Sequence, residues 1–528
     1  MVMAVLLFPP GALAQETPKR MEVVARVGPW PVISQMIGYR GRLWFANSVK
    51  GVNHNSADLW SLDPKTREVR YERHLFSQDV GNPLIYKGLL YWPYEDTRST
   101  LGWGGIDVTN GEDWRFLPVS SAAIFHVHAL AEWEGDLLAV SSAWRMGLQR
   151  SRDDGLTWQP LYDHPTPKGR VSRMTAFVTV DRQGIGRLRE TDYTRLIRWD
   201  GEKVHDVLDW GQGVHFHGLT AHGVAAYLIR TEKIGSTVWT VEGEVVRRFS
   251  PPKYGWNVQD MTSDGEMLWA ATRTDGGGEL WSSKYGISWT MEATFEGGTP
   301  DNVAAADGAV YVGGTGEDGR GILWALMLES QAGAFSGAPP ALPPEPSPGE
   351  NGAELDALGR ELDAALEVQE NFRNHGRGTL RELVFRIARA GPPPGFLAQR
   401  LNAEMPDWQA PVLGGQFTVP ARDLGRWILL WGMGLAKSGQ VPTDYLMRPW
   451  TVPAHGSEKY FDPLLMALWA VTQTGQNDDE TVGTLISRLD DAQDPLWVTG
   501  EVVGTLSALT GKRFGYDKDA WRGWWSTR

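Results

Sequence analysis

Seven glycine turns at near-regular spacing constrain this chain more than any other feature. Gly41, Gly88, Gly135, Gly184, Gly223, Gly265 and Gly308 follow one another at intervals of 47, 47, 49, 39, 42 and 43 residues. Each separates a short polar-to-apolar segment from one rich in Leu, Trp, Tyr and Val, as in ISQMIGYRGRLWFANS, VGNPLIYKGLLYWPYE and VQDMTSDGEMLWAAT. The copy around Gly184, SRMTAFVTVDRQGIGRL, is the weakest. Further strand-like pieces with tight Asp/Gly turns follow, such as LIRWDGEKVHDVL, and these are hairpin signals. Intervals of this size match one four-stranded blade, so the spacing predicts an all-β propeller of seven blades over residues 20–328. The last blade runs out after three strands, near Leu328. Its fourth strand is expected from Glu22-Val23-Val24-Ala25-Arg26-Val27, which would close the ring and remove both sheet edges.

One local motif adds to this. Ser151-Arg152-Asp153-Asp154-Gly155-Leu156-Thr157-Trp158 fits S-x-D-x-G-x-T-W, with a decayed copy at Ser282–Trp289 in which Lys284 replaces the Asp. Over residues 20–330 the chain therefore resembles the Asp-box (BNR-repeat) propellers. That resemblance implies a structural hairpin turn at the blade periphery and carries no activity. Sialidases are the best-known enzymes with this box. They are six-bladed, and their early F/Y-R-I-P motif is absent here.

Residues 329–352 are rich in Pro, Gly, Ala and Ser and read as a linker. Beyond it the period becomes helical, with Leu355, Leu358, Leu362, Leu366 and Phe372 on one stripe. Asp462-Pro463 and Asp494-Pro495 are helix starts, and Gly475 and Gly511 are stops. Gly439, Gly475 and Gly511 lie 36 residues apart each time, the spacing of stacked helix pairs. The C-terminal segment, with Leu509–Asp517 and Trp521–Trp525, resembles the last repeat of bacterial HEAT-like proteins. The expectation for 353–528 is an all-α HEAT-like domain.

Composition bounds the partners. The net charge is −13 and no Lys/Arg cluster runs along the chain, which argues against nucleic acid. With no cysteine there are no disulfides and no thiolate chemistry. The 26 tryptophans suit sugar stacking, but more of them are expected to fill gaps between sheets. An apolar run at 3–8 followed by Ala12-Leu13-Ala14 reads as a signal peptide over residues 1–14, with mature protein starting at Gln15. The expected location is periplasmic or extracellular. No other stretch is long and apolar enough for a transmembrane segment.

Phosphate-loop, H-E-x-x-H and G-x-S-x-G motifs are absent. One constellation stands out. His126-Val127-His128 and His215-Phe216-His217 precede the turn glycine in two blades, and they hold four of only 11 histidines. Residues two apart on a strand share a face. Asn257, Gln259, Asp301 and Arg173 fall nearby in other blades, giving eight candidate ligand-binding residues near the axis. His126, His128, His215, His217 and Gln259 could hold a divalent metal ion. Some seven-bladed polysaccharide lyases resemble this in outline, with histidines and a Gln on a metal. Against this stands interblade packing, in which a buried neutral His bonds only backbone. The first expectation is an exported binding or scaffold protein, with a glycan or small molecule on the propeller and a protein partner on the helical domain. The alternative is a metal-assisted carbohydrate-active enzyme, a polysaccharide lyase or glycoside hydrolase, using the histidine cluster.

Overall fold

The computed structural model describes residues 18–49, 57–95, 104–119, 124–143, 145–165, 172–190, 193–212, 214–328, 338–344, 352–368, 371, 379–405, 408–412, 417–450 and 462–528. The expected signal segment lies outside them. Residues 19–327 form a seven-bladed propeller. Its first six blades take their four strands in chain order, and the inner strands of blades 1 to 6 are Val32–Tyr39, Leu84–Tyr86, Ile124–Trp133, Ser172–Val180, His215–His222 and Val258–Ser263. Blade 7 has Gly298–Ala306, Ala309–Gly316 and Gly321–Met327, and the strand Glu22–Val27 pairs antiparallel with the last of these as its outer edge. The ring is closed as the repeat count required. Lys19–Arg20 adds a short parallel strand to blade 6.

Six of the seven expected turn glycines have positive φ, from 56° at Gly223 to 95° at Gly265. Gly184 is the exception. The turn of blade 4 is made by Asp181 and Arg182, at φ 43° and 56°, and Gly184 lies inside the following strand. A side chain there would meet the Phe177 ring, which explains why the weak copy kept a glycine without using it as a turn.

Apolar clusters fill the seams between neighbouring blades. Tyr39, Trp44, Leu59, Leu90, Trp92 and Tyr94 pack between blades 1 and 2, and Phe295, Val312 and Trp324 between blades 6 and 7. Trp44, Trp92, Trp199, Trp256 and Trp324 are all fully buried, so these rings serve as filling, as expected for most of the tryptophans.

The C-terminal region holds eight helices among the described residues, within 352–526, and one small sheet of Gln409–Val412 with Phe417–Pro420. No helix there is long and apolar enough to cross a membrane. Asp462 caps its helix through the Leu464 amide, and Gly475 and Gly511 end theirs at φ 67° and 68°. Two expected signals take other roles. Asp494 does not cap the helix Leu496–Thr510, because its carboxylate is held by Arg488 at 2.8 Å. The residue ending the helix Ala421–Ala436 is Lys437, at φ 48°, two positions before Gly439.

This region is docked on blade 1. The helix Leu496–Thr510 lies against Val69–Leu75, the outer strand of that blade. A Cβ on Gly504 would stand 2.3 Å from the His74 Cβ, so glycine permits the approach. Tyr71 and Phe76 of the propeller belong to the same apolar core as the helices. Polar groups are buried with them. Asp58 accepts from Trp30 Nε1 at 2.8 Å and the Tyr516 hydroxyl at 2.7 Å, and its other oxygen meets His74 Nδ1 at 2.8 Å. Arg513 reaches the buried Glu72 at 2.7 Å.

Taking one partner from such a buried network costs about 3–5 kcal/mol, because the others stay unsatisfied. A protease site placed between 345 and 351 should, once cut, leave two fragments that co-elute on gel filtration. Asp58→Ala should release the helical fragment. Separation of the unsubstituted fragments in native buffer would refute the docking.

Candidate functional site

The inner strands share a defect that decides which side chains face the axis. In blades 1, 3, 4, 6 and 7 a residue drops out of the ladder with the second strand, Ser34, His128, Thr175, Gln259 and Asp301 respectively, and blade 3 has a further break at Phe125. Such bulges re-aim a side chain and bend the strand. In blade 5 the irregularity falls at Gly218–Leu219 instead. His217 therefore stays paired, opposite Ile229, and does not occupy the position of His128.

Ser34, Thr175, His217, Gln259 and Asp301 line an axial cavity of about 670 Å³ to which all seven blades contribute. Asp79, Asn82, Leu130, Arg187 and Asp260 also line it. Asn257 stands beside this group and accepts from Gln259 Nε2 at 2.9 Å. Asp301 accepts from Thr315 at 3.2 Å, and Asp260 from the Val303 amide at 3.0 Å.

His126, His128 and Arg173 form a second group, around Glu95. The Arg173 guanidinium is 3.4 Å from the Glu95 carboxylate, and His126 Nδ1 is 3.8 Å from it. His126 also bonds the Glu95 carbonyl, and its ring stacks on His128 with centroids 5.3 Å apart. Backbone stitching between blades places this group. The Asn82 amide donates to the His128 carbonyl and the Val127 amide to the Tyr94 carbonyl, each at 2.9 Å. A Cβ on Gly81 would lie 2.5 Å from the carbonyl oxygens of Val127 and His128, so only glycine allows that contact.

Burial holds His126 down at about 3, helped by the charge of Arg173. Burial also holds His128 well below the usual histidine range, so both rings are neutral. Burial pushes Glu95 up to about 7, with Arg173 pulling it down and Asp79 pushing it up.

The expected four-histidine cluster is not one cluster. His128 Nε2 is engaged by the Ser142 hydroxyl at 2.8 Å, inside its own blade. His217 Nε2 donates to the Val258 carbonyl at 2.8 Å, and Thr231 lies 3.3 Å from its Nδ1. His215 is exposed. Among the described residues no three His, Asp or Glu side chains have a metal-holding arrangement. Packing within and between blades has won over convergence for these rings.

Two residues escaped the sequence reading. Glu95 sits in a bend just past the strand Leu89–Pro93, one acid among many, and only the interblade stitching puts it under His126. Arg187 left a fainter signal. It pairs with Ala176 on the second-strand rung that Ala46, Val140, Ile229 and Gly313 fill in other blades. Aligning the repeats on their second strands would have exposed it.

No family model matches this chain, and no curated protein does. Solved structures resemble it in fold. A structure from work on two prolyl endopeptidases aligns at 10% identity and TM-score 0.38 over 58% of this chain, which spans half the length of that one. The β-propeller domain of the trilobed protease from Pyrococcus furiosus gives 11% and 0.39, covering 57% of this chain and 99% of that one. Polysaccharide lyase Uly1 gives 10% and 0.39, covering 61% and 94%. At these identities the likeness concerns fold alone.

The neutral form of Glu95 is the one the fold favours. Its contribution to stability is complete below the ordinary value of 4.5 and is lost as pH rises through about 7. Glu95→Gln keeps the shape without the charge. It should match the parent near pH 4 and exceed it by about 2–3 kcal/mol near pH 8 in chemical denaturation. A difference independent of pH would show that Glu95 titrates normally.

Proposed function

We propose that the protein binds a polar small molecule or glycan end in its axial channel, and that the helical region serves as a docking face for a protein partner. One observation carries the first part. The cavity of about 670 Å³ is lined by Ser34, Thr175, His217, Gln259 and Asp301 from five inner strands, which supplies donors and acceptors to one shared space. A hydroxyl-rich ligand matches such a mixture, because each hydroxyl both donates and accepts.

Three finer readings accompany this. The turn at 151–158 has the bonds an Asp-box needs, with Thr157 N on Asp153 at 2.8 Å and Trp158 Nε1 on the Gly155 carbonyl at 3.0 Å. The helical region is read as HEAT-like from its glycine spacing. Export rests on the first 14 residues of the sequence.

A second reading is a carbohydrate-active enzyme. What favours it is Glu95, held near 7 beside Arg173 and the channel residue Asp79, which suits a group that gives and takes a proton. The divalent ion of the original expectation finds weaker support, since His128 and His217 already have partners. Metal analysis of the purified protein tests it directly.

The binding reading is tested by screening the full chain against a glycan and small-molecule panel, then titrating the best binder. Gln259→Ala and Asp301→Asn should each lower its affinity by about tenfold while leaving the fold unchanged by circular dichroism. A panel without a binder, or a binder indifferent to both substitutions, refutes the channel as the site. Turnover of a bound glycan that Glu95→Gln abolishes would favour the enzyme.

A further inference from the structure

Arg187 is a charge on a rung where four other blades carry Ala, Val, Ile or Gly. The residue lines the axial cavity. Its hydrogen bonds go to the Thr175 hydroxyl at 2.8 Å and to the Phe216 carbonyl, both neutral acceptors. Among the described residues no carboxylate pairs with it. Burial and the nearby charge of Arg189 push it down to about 10, with no acid pulling the other way. A half-buried guanidinium without a counter-charge is costly, and proteins normally pair one drawn this far from water.

The channel does contain acids, but in other blades. Asp301 belongs to blade 7, Asp260 to blade 6, Asp79 is held by Ser34 of blade 1 at 2.7 Å, and an exposed Glu132 lines it from blade 3. Blades 7 and 1 are the farthest from blade 4 around a ring of seven. The cavity thus sets one guanidinium on blade 4 against aspartates from blades further round the ring, with Glu132 exposed on the neighbouring blade 3. Such a space rejects a simple anion and a simple cation alike. It suits a molecule with an anionic group at one end and hydrogen-bond donors at the other.

We infer that Arg187 anchors the carboxylate of a small ligand in the axial channel, with hydroxyl or ammonium groups of that ligand turned towards Asp79, Asp260 and Asp301. This rests on the channel being the ligand site and names the class of ligand. Guanidinium and carboxylate match in a two-point hydrogen bond, which an ester or amide of the same acid cannot reproduce. Hydroxyl donors would come from a sugar acid, and an ammonium donor from an amino acid.

The test uses the full chain and calorimetric titration with galacturonate, its methyl ester, an α-amino acid and the corresponding amide. At least one free acid should bind about tenfold or more tightly than its neutral derivative. Which acid does so separates the hydroxyl source from the ammonium source. Arg187→Met should abolish that preference without lowering the melting temperature, since it removes a half-buried charge that no carboxylate pairs. Arg187→Lys should keep part of the preference. The acid-over-ester comparison on the unsubstituted chain stands even if Arg187→Met does not fold. Equal binding of acid and neutral derivative overturns the inference but leaves the channel as a ligand site. A preference that survives in Arg187→Met also overturns it. Failure of every probe to bind overturns the inference, and if the wider panel is also silent the binding reading falls with it.

Discussion

Everything in this molecule depends on one antiparallel strand pair, Glu22–Val27 against Gly321–Met327. Without it the propeller would be an open stack of sheets, with a bare edge on blade 7 and an unsupported seam beside blade 1. With it, each apolar face has a neighbour, and the clusters between blades run continuously around the ring. The residues leading out of this pair also reach the second domain. The Trp30 carbonyl accepts from the Gly321 amide, while its indole bonds Asp58, which in turn holds Tyr516. Closure of the ring and docking of the helices therefore meet in one buried polar group.

The same ring explains how a site arises without any catalytic motif. Repeating a bulge in five inner strands turns one side chain per blade away from its regular pairing. In four of those blades the freed residue lines the cavity, as Ser34, Thr175, Gln259 and Asp301. In blade 3 the freed residue is His128, and the Ser142 hydroxyl draws it back into its own sheet. Divergence at these few positions is enough to bring polar groups from several blades into the channel while the blade cores remain apolar.

Architecture was legible in the sequence because turns and alternation are local. A glycine with positive φ, an Asp before a helix and a run of alternating Val and Leu act through neighbours in the chain. The blade count and the closing strand follow from such signals alone. The site was only half legible. Gln259, Asp301 and His217 were expected near the axis and line the cavity, yet their grouping with His126 and His128 failed. A bulge shifts the register by one residue, and spacing to the turn glycine cannot reveal where it falls. Glu95 and Arg187 matter through contacts between blades, which involve residues distant in the chain. The misplaced cap at Asp494 has a similar cause, since a long-range partner, Arg488, outcompeted the local amides.

The closing pair also dictates an order of assembly during synthesis. The strand at 22–27 leaves the ribosome ahead of the blades, while its partner at 321–327 appears roughly 300 residues later, a wait of tens of seconds at ordinary elongation rates. Throughout that interval the first strand has no edge to join and must be kept from pairing elsewhere. Asp58 and Glu72 wait longer still, because Tyr516 and Arg513 follow them by 458 and 441 residues. Blade 1, the earliest blade to emerge, thus has its buried acids satisfied only once the segment holding Arg513 and Tyr516 has arrived.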